Sequence, residues 1–319
     1  MAKPGKIDGL ECDSSAVEGI RLVLAGRFKE MASFSDAAIV WQDLEGVHDM
    51  RVASRRLRSA LKDFLPFMRE RPLRDSLTKI KDIANALGTV RDQDVLIDAL
   101  EKFVSSCPAH VVNGIESLIE ERKKRRIQGR EILQKAIQKE KLEVLRVDFE
   151  KAIERAVKDR DSKPGDLRYA QGYSFKEIGA KIVSDRINEF NERSPSVFEP
   201  FRRKLLHRLR IAGKHLRYTL QLFAECLPES FNSIVEPVTN LQRALGDLHD
   251  ADVFIDELSS DLADSAVKSP ANAFSSPEHS AEVWLLSEYT QLRSGYYHEA
   301  LEDWECLQPR LMINAAKAV

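Results

Sequence analysis

The chain lacks the features that mark membrane, secreted and zinc-binding proteins. Nowhere do about 18 apolar residues run together, and residues 1–13 hold no apolar core long enough for a signal peptide. The four cysteines are widely scattered, with no CxxC pair. We therefore predict no membrane span and no zinc site. We expect a cytoplasmic protein with reduced, mostly packed thiols at Cys12, Cys107, Cys226 and Cys306.

Residues that break helices are scarce, and so is the alternation of apolar and polar residues that is typical of strands. Only 14 glycines and 12 prolines interrupt the 319 residues. Apolar residues instead recur at helical spacing, which predicts an all-α protein. The predicted helices cover residues 14–31, 36–67, 72–103, 111–158, 174–193, 197–226, 230–258 and 281–304.

A large excess of charge of one sign is also missing. The 49 basic and 51 acidic residues leave a formal net charge of -2. A nearly neutral protein is unlike one that coats nucleic acid diffusely, so any cluster of cations indicates a focused site. The basic run 122–126 is interpreted as the solvated face of a helix, with a secondary contact to a polyanion as the alternative.

What the chain does contain is the same basic helix twice. Residues 48–58 read HDMRVASRRLR, and residues 207–217 read HRLRIAGKHLR. Each copy begins with a histidine and has basic side chains three, seven, eight and ten residues later. On a helix that turns by about 100° per residue, most of these side chains fall within a band of about 80°. We name the two bands the first basic row (His48, Arg51, Arg55, Arg58, Lys62) and the second basic row (His207, Arg210, Lys214, Arg217).

A second motif also occurs twice, and its two copies are separated along the sequence by nearly the same number of residues as the two basic helices. Residues 87–95 read LGTVRDQDV and residues 245–253 read LGDLHDADV, and we name this pattern the LG motif. Two repeated motifs indicate an internal duplication. They predict two tandem four-helix bundles related by pseudo-two-fold symmetry, over residues 1–160 and 167–319, with a linker at 161–166. Such symmetry would allow the two basic rows to line one channel, although the sequence does not show which faces meet.

The histidines invite a metal interpretation that the surrounding charge opposes. Arg or Lys follows three and seven residues after His48 and His207, and we expect no carboxylate or thiolate to complete a ligand set within a turn. We therefore predict neither a metal nor a cofactor. Phosphate fits better, because Arg, Lys and protonated His all donate to its oxygens, and the rows space these donors by about 5 Å.

The acids of the second motif have two interpretations. They could hold the arginines of the rows in place, or they could act as acid/base groups, and we favour the first. Nucleic acid is an unfavoured ligand, because Tyr218 is the one aromatic residue noted beside either row and base stacking needs exposed aromatic rings.

The two motifs together resemble the CHAD family, the conserved histidine α-helical domain, over residues from about 13 to 319. The resemblance implies two four-helix bundles and binding of inorganic polyphosphate or another phosphate-rich anion. By motif position it assigns that role to His48, Arg51, Arg55, Arg58, His207, Arg210, Lys214 and Arg217. A second rank of candidates consists of Arg56, Lys62, Arg91, Arg203, His215 and His249.

Some relatives in that family are fused to a triphosphatase domain, whose strand-rich pattern is absent from this sequence. We therefore expect binding without catalysis. Two alternatives stay open: a phosphohydrolase or phosphohistidine transfer protein, and a scaffold for nucleic acid or an acidic partner. Association with polyphosphate granules, polyphosphate storage and regulation of an enzyme are equally open at this stage.

Overall fold

The protein is an all-α structure, as the sequence predicts. The computed structural model describes residues 5–40, 44–157, 170, 172–268 and 276–315. Within them, the backbone pairing outside helices is one isolated antiparallel bridge between Ser15 and Ser174. The α-helices are α1 (Ala16–Ser33), α2 (Ser35–Ile39), α3 (Leu44–Phe64), α4 (Arg74–Val104), α5 (Val112–Ala136), α6 (Lys139–Val157), α7 (Phe175–Arg193), α8 (Arg203–Leu222), α9 (Asn232–Lys268) and α10 (Pro277–Ala315).

Five predicted helices differ clearly from the observed ones. The predicted helix 197–226 is a 3₁₀ turn (Ser194–Phe198) followed by α8, which begins only at Arg203, and the predicted helix 230–258 continues to Lys268 in α9. The predicted helix 36–67 is α2 followed by α3 and a 3₁₀ turn (Leu65–Phe67) whose proline follows its first residue. The predicted helix 111–158 is divided into α5 and α6 at residues 137 and 138, where no glycine or proline announces the break. The predicted helix 281–304 is longer at both ends in the structure, because α10 begins at Pro277 and continues to Ala315.

The chain forms two compact units, and each unit draws on both halves of the sequence. Unit 1 contains Met1–Val95, Lys124–Ile182 and Leu222–Leu227, and unit 2 contains Leu96–Lys123, Val183–Gln221 and Pro228–Val319. These units do not coincide with the predicted segments 1–160 and 167–319, which stay a description of the sequence repeat. The predicted linker 161–166 lies outside the described residues. The tandem bundles and the shared channel stay predictions.

Aromatic side chains form the centre of unit 1. The rings of Phe64, Phe175 and Phe223 lie within 6.2 Å of one another, with Phe175 and Phe223 only 4.9 Å apart. Two glycines allow this close packing. A Cβ at Gly19 would lie 2.3 Å from the Phe175 ring, and a Cβ at Gly179 would lie 2.5 Å from the Phe223 ring. Larger residues at either position would displace these rings.

Unit 2 has a core of its own between the ends of α4 and α5 and the helices α9 and α10. Its centre includes Leu100, Ile115, Leu258 and Leu285, each almost fully buried. Gly114 brings α5 against the start of α10, because a Cβ there would lie 2.1 Å from the Pro277 carbonyl oxygen. This apolar packing holds α9 in place, and α9 carries the second copy of the LG motif.

Two cysteines are joined, contrary to the expectation of reduced thiols. Cys12 and Cys226 form a disulfide within unit 1, while Cys107 and Cys306 are free. The expectation was wrong because scattered spacing in sequence says little about distance in the fold. The disulfide also removes the argument from free thiols for a cytoplasmic location. Within the described residues, no helix has the length and apolarity to cross a bilayer.

Candidate functional site

The first basic row lies along α3 in unit 1. His48, Arg51 and Arg55 are half-buried, while Arg58 and Lys62 are exposed. The opposite face of α3 is buried, at Met50, Leu57, Leu61 and Phe64. The predicted two-sided helix is thus confirmed, and apolar packing holds the row in a fixed place on the surface of unit 1.

Arg51 is fixed to the LG motif of α4. Its Nη1 donates to the Gly88 carbonyl oxygen at 3.1 Å and to Oδ1 of Asp92 at 2.7 Å. The Arg51 side chain is 18% exposed and that of Asp92 is 62% exposed, so the pair faces solvent from the carboxylate side. A Cβ at Gly88 would lie 3.9 Å from Nη1, which leaves room for Ala but not for a long side chain over the guanidinium. The prediction that an acid of this motif orients an arginine is confirmed for Asp92.

Arg91, from the same turn of α4 as Asp92, affects the charge of His48 at the N-terminal end of the first basic row. Burial lowers the pKa of His48, and the positive charge of Arg91 lowers it further, against the opposing effect of Glu45 and Asp49. Ligand atoms of Glu45, His48 and Asp49 all lie within 4.8 Å of one another. The expectation that no carboxylate would accompany the histidine within a turn is therefore wrong. Arg91 opposes a cation there, and the absence of a metal stays a prediction.

The second basic row lies along α8 in unit 2, and its members differ in exposure. His207, Arg210 and Lys214 are half-buried. Arg217 is 6% exposed, and its Cζ lies 4.8 Å from the centroid of the Tyr218 ring. The helical wheel placed Arg217 in one band with His207, Arg210 and Lys214, but its side chain is buried in the structure. His215 is half-buried and lies outside that band.

The LG motif of α9 faces the second row as that of α4 faces the first. A Cβ at Gly246 would lie 3.9 Å from Nε of Arg210, the same spacing as between Gly88 and Arg51. His249 occupies the position of Arg91, and its ring centroid lies 4.3 Å from that of His207. Burial lowers the pKa of both imidazoles, and Arg210 lowers both further. The arrangement brings His249 to the row, as the second rank of candidates anticipated.

Arg203, another candidate of the second rank, serves an ion-pair cluster. Its Nε lies 3.0 Å from Oδ1 of Asp252, and its Nη1 donates to Asp256. Asp252 is buried and also accepts from Nε of Arg293 at 2.6 Å. A phosphate would have to compete with two carboxylates for Arg203, which leaves its predicted binding role without support.

Comparison with known proteins agrees with this helical architecture. A family model for the CHAD domain matches residues 22–259, about three quarters of the chain. The chain belongs to the CHAD family. Among solved structures, the CHAD domain of the plant Ricinus communis is similar at 21% identity and a TM-score of 0.65, over 96% of this chain and 95% of that one. PptA from Streptomyces chartreusis is similar at 10% identity and a TM-score of 0.57, over 92% of this chain and 100% of that one. At these identities the structures show the fold alone. No curated protein matches the sequence.

Within this CHAD domain, Arg56 belongs to the packing of unit 1 rather than to the exposed row. It is 7% exposed, and its Nη1 donates to Oε1 of Glu30 at 2.8 Å. The other oxygen of Glu30 accepts from Arg27 at 2.6 Å. Two arginines thus share one half-buried carboxylate between α1 and α3, and the predicted binding role of Arg56 has no support from this geometry.

The basic run of the CHAD domain at 122–126 is only partly a solvated face. Arg122 is buried, and its Nη2 lies 2.8 Å from Oε1 of Glu257 within unit 2. Arg126, in unit 1, lies 3.4 Å from Oδ1 of the buried Asp94. Burial raises the pKa of Asp94 in spite of its arginine neighbours. Both residues contribute to packing, so the interpretation as a wholly solvated run was wrong.

Sequence reasoning missed two aromatic residues in the segment just before α8. Phe198 is 63% exposed and Phe201 is 89% exposed, whereas Tyr218, which the sequence singled out, is buried. Lys204 and Arg208 are exposed on α8 itself, near His207. The sequence does indicate an aromatic residue near the second row, because Phe201 precedes His207 by only six residues.

Proposed function

We propose that this CHAD domain binds inorganic polyphosphate through the two basic rows and does not hydrolyse it. Some members of the family bind polyphosphate. The observation that carries the proposal is the repeated local geometry of the rows. In each unit, a helix with an apolar back presents cations beside an LG motif, with an arginine next to the glycine.

The cations of the first row suit a linear anion. Arg51, Arg55, Arg58 and Lys62 follow one another along α3 at an axial spacing of about 5 Å, so successive phosphates can be held by successive side chains. Arg51 is oriented before any ligand arrives, because Asp92 and the Gly88 carbonyl hold its guanidinium. Preorganisation of this kind lowers the entropic cost of binding.

The absence of hydrolysis is proposed from what surrounds the rows. Two acids of the LG motifs are engaged with arginines: Asp92 with Arg51, and Asp252 with Arg203 and Arg293. Carboxylates held in this way are poor candidates for activating water. Incubation with polyphosphate in Mg²⁺ and Mn²⁺ tests this point, since release of orthophosphate or formation of acid-labile phosphohistidine would favour the enzymatic alternative.

A charge-matched pair of variants tests the binding site. The quadruple variant Arg51→Ala/Arg55→Ala/Arg210→Ala/Lys214→Ala removes two cations from each row. The control variant Lys29→Ala/Lys79→Ala/Lys135→Ala/Lys151→Ala removes four exposed cations outside both rows. Calorimetric titration with long-chain polyphosphate should show at least a hundredfold weaker affinity for the first variant and a change under threefold for the control. Equal losses in the two variants would overturn the site.

Nucleic acid is the second candidate, favoured by one observation. Phe198 and Phe201 are exposed just before α8 and could stack on bases beside the second row. Competition separates the two ligands: RNA at the same phosphate concentration should fail to displace polyphosphate. Displacement that is lost in Phe198→Ala/Phe201→Ala would instead favour RNA.

A further inference from the structure

The second basic row contains a contact between two histidines that the first row lacks. His249 stands where the first copy of the motif has Arg91. Its ring centroid lies 4.3 Å from that of His207, with an angle of 48° between the ring planes. Both side chains are half-buried, and Nδ1 of His207 is buried with no hydrogen-bond partner. The pair is thus close enough for the charge on one ring to affect the other.

The charges around the pair are mostly positive. Arg210 and Lys214 on α8 act on His207, and Arg210 also acts on His249. On α9, Asp252 is the group that favours the protonated form of His249, and it is already shared with Arg203 and Arg293. Burial and these cations lower the pKa of both imidazoles, so the free pair is largely neutral at pH 7.

An incoming phosphate changes this balance. It supplies negative charge beside His207 and an oxygen that can accept from a protonated ring nitrogen. A bound anion therefore favours proton uptake by the pair, and by linkage a lower pH favours the bound anion. The first row responds less, because Arg91 carries its charge at any pH near neutrality.

We propose that the His207–His249 pair is a proton-dependent phosphate contact, which makes the second row bind polyphosphate more tightly as the pH falls below neutrality. This inference rests on the proposed function and adds a regulation to it. Each proton taken up on binding changes the affinity by up to about tenfold per pH unit. The second row should therefore gain affinity between pH 8 and pH 5.5, and His249 is the residue that sets this dependence.

The experiment weakens the first row, so that the second row dominates binding. In an Arg51→Ala/Arg55→Ala background, the affinity for long-chain polyphosphate is measured from pH 8 to pH 5.5 at constant ionic strength. We expect a gain of at least tenfold. His249→Arg, which restores the residue of the first copy, should bind at pH 8 at least as tightly as the background and gain less than threefold towards pH 5.5. His298→Gln, an exposed histidine of α10, should keep the full gain.

A direct measurement of protonation supports the binding series. The imidazole NMR resonances of His207 and His249 are titrated against pH with and without polyphosphate. Their midpoints should move to higher pH when polyphosphate is present. Binding with an unchanged midpoint, or a pH gain that persists in His249→Arg, would overturn the inference alone. Loss of binding at every pH in the otherwise unaltered protein would overturn the proposed function, and the inference with it.

Discussion

Arg51 and Asp92 meet at 2.7 Å between α3 and α4, and the arginine is the more buried partner of the pair. The carboxylate holds the guanidinium in position and also competes with any anion that approaches it. Asp92→Asn keeps an oxygen acceptor but removes the competing charge. We predict that this variant binds polyphosphate two- to fivefold more tightly, as expected for an exposed charge worth about 0.5–1 kcal/mol.

Asp92→Ala is the matched variant for that prediction, since it removes both the charge and the acceptor. Arg51 then retains only the Gly88 carbonyl, and the gain in affinity should be smaller than that of Asp92→Asn. Titration calorimetry of both variants checks the order. Weaker binding by Asp92→Asn than by the unaltered protein would show that the charge of Asp92 is needed for binding.

Arg56 and Arg58 are two residues apart and should have opposite mutant phenotypes. Arg56→Met breaks the ion pair between Arg56 and Glu30, and the free energy of unfolding should therefore fall by about 1–3 kcal/mol. The loss stays within this range because Glu30 keeps Arg27 as a partner. The affinity of the folded protein for polyphosphate should stay within twofold. Arg58→Met should leave stability within about 0.5 kcal/mol, because the side chain is exposed, and weaken binding several-fold. Urea denaturation and calorimetry separate the two, and a binding loss in Arg56→Met would return this residue to the site.

The disulfide between Cys12 and Cys226 joins two residues of unit 1 that lie 214 residues apart in the sequence. Cys12→Ser/Cys226→Ser should lower the free energy of unfolding by roughly 2–4 kcal/mol, mainly by relaxing the unfolded chain. Thiol counting on the denatured, unreduced protein should find only the free Cys107 and Cys306. Four reactive thiols in protein purified without reductant would contradict the pairing.

Glu282 gives unit 2 a stability that depends on pH. Burial, with the nearby carboxylates of Asp261, Glu278 and Glu121, raises the pKa of Glu282 from 4.5 to about 6. Below pH 4.5 the group is protonated in both the folded and unfolded states and costs nothing. As the pH rises from about 4.5 to about 6, Glu282 ionises in the unfolded chain before it ionises in the folded protein. Roughly 1–2 kcal/mol of stability is therefore lost by about pH 7.

Glu282→Gln removes that ionisation. The variant should be more stable than the unaltered protein at pH 7 by about the same 1–2 kcal/mol, and the difference should vanish near pH 4. Thermal or urea unfolding at the two pH values measures both quantities. A stability difference that is equal at pH 4 and pH 7 would exclude ionisation as its cause.

The parts of the site that could be predicted are those that helical periodicity determines. The apolar backs of α3 and α8 follow from residue spacing alone, whereas the place of each LG motif beside its row depends on how α4 and α9 pack against these helices. Periodicity does not reveal what a neighbouring helix presents. Glu30 on α1 binds Arg56, a candidate of the second rank, and Arg217 is buried with its guanidinium 4.8 Å from the centroid of the Tyr218 ring.

The remaining differences come from contacts between distant residues. Cys12 and Cys226 are separated by 214 residues, and no local pattern announces their pairing. The break between α5 and α6 carries neither glycine nor proline, so no residue at positions 137 and 138 announces it. The contact of His207 with His249 likewise needs α8 and α9 to be side by side.

The central claim is that the basic rows bind a linear polymer of phosphates, and a series of chain lengths tests it most directly. The affinity per molecule is measured for tripolyphosphate and for progressively longer polyphosphates at several salt concentrations. We predict that affinity rises with chain length until a row is filled, and that its logarithm falls linearly with the logarithm of salt concentration. Tripolyphosphate binding as tightly as the long polymer, with no dependence on salt, would contradict the claim.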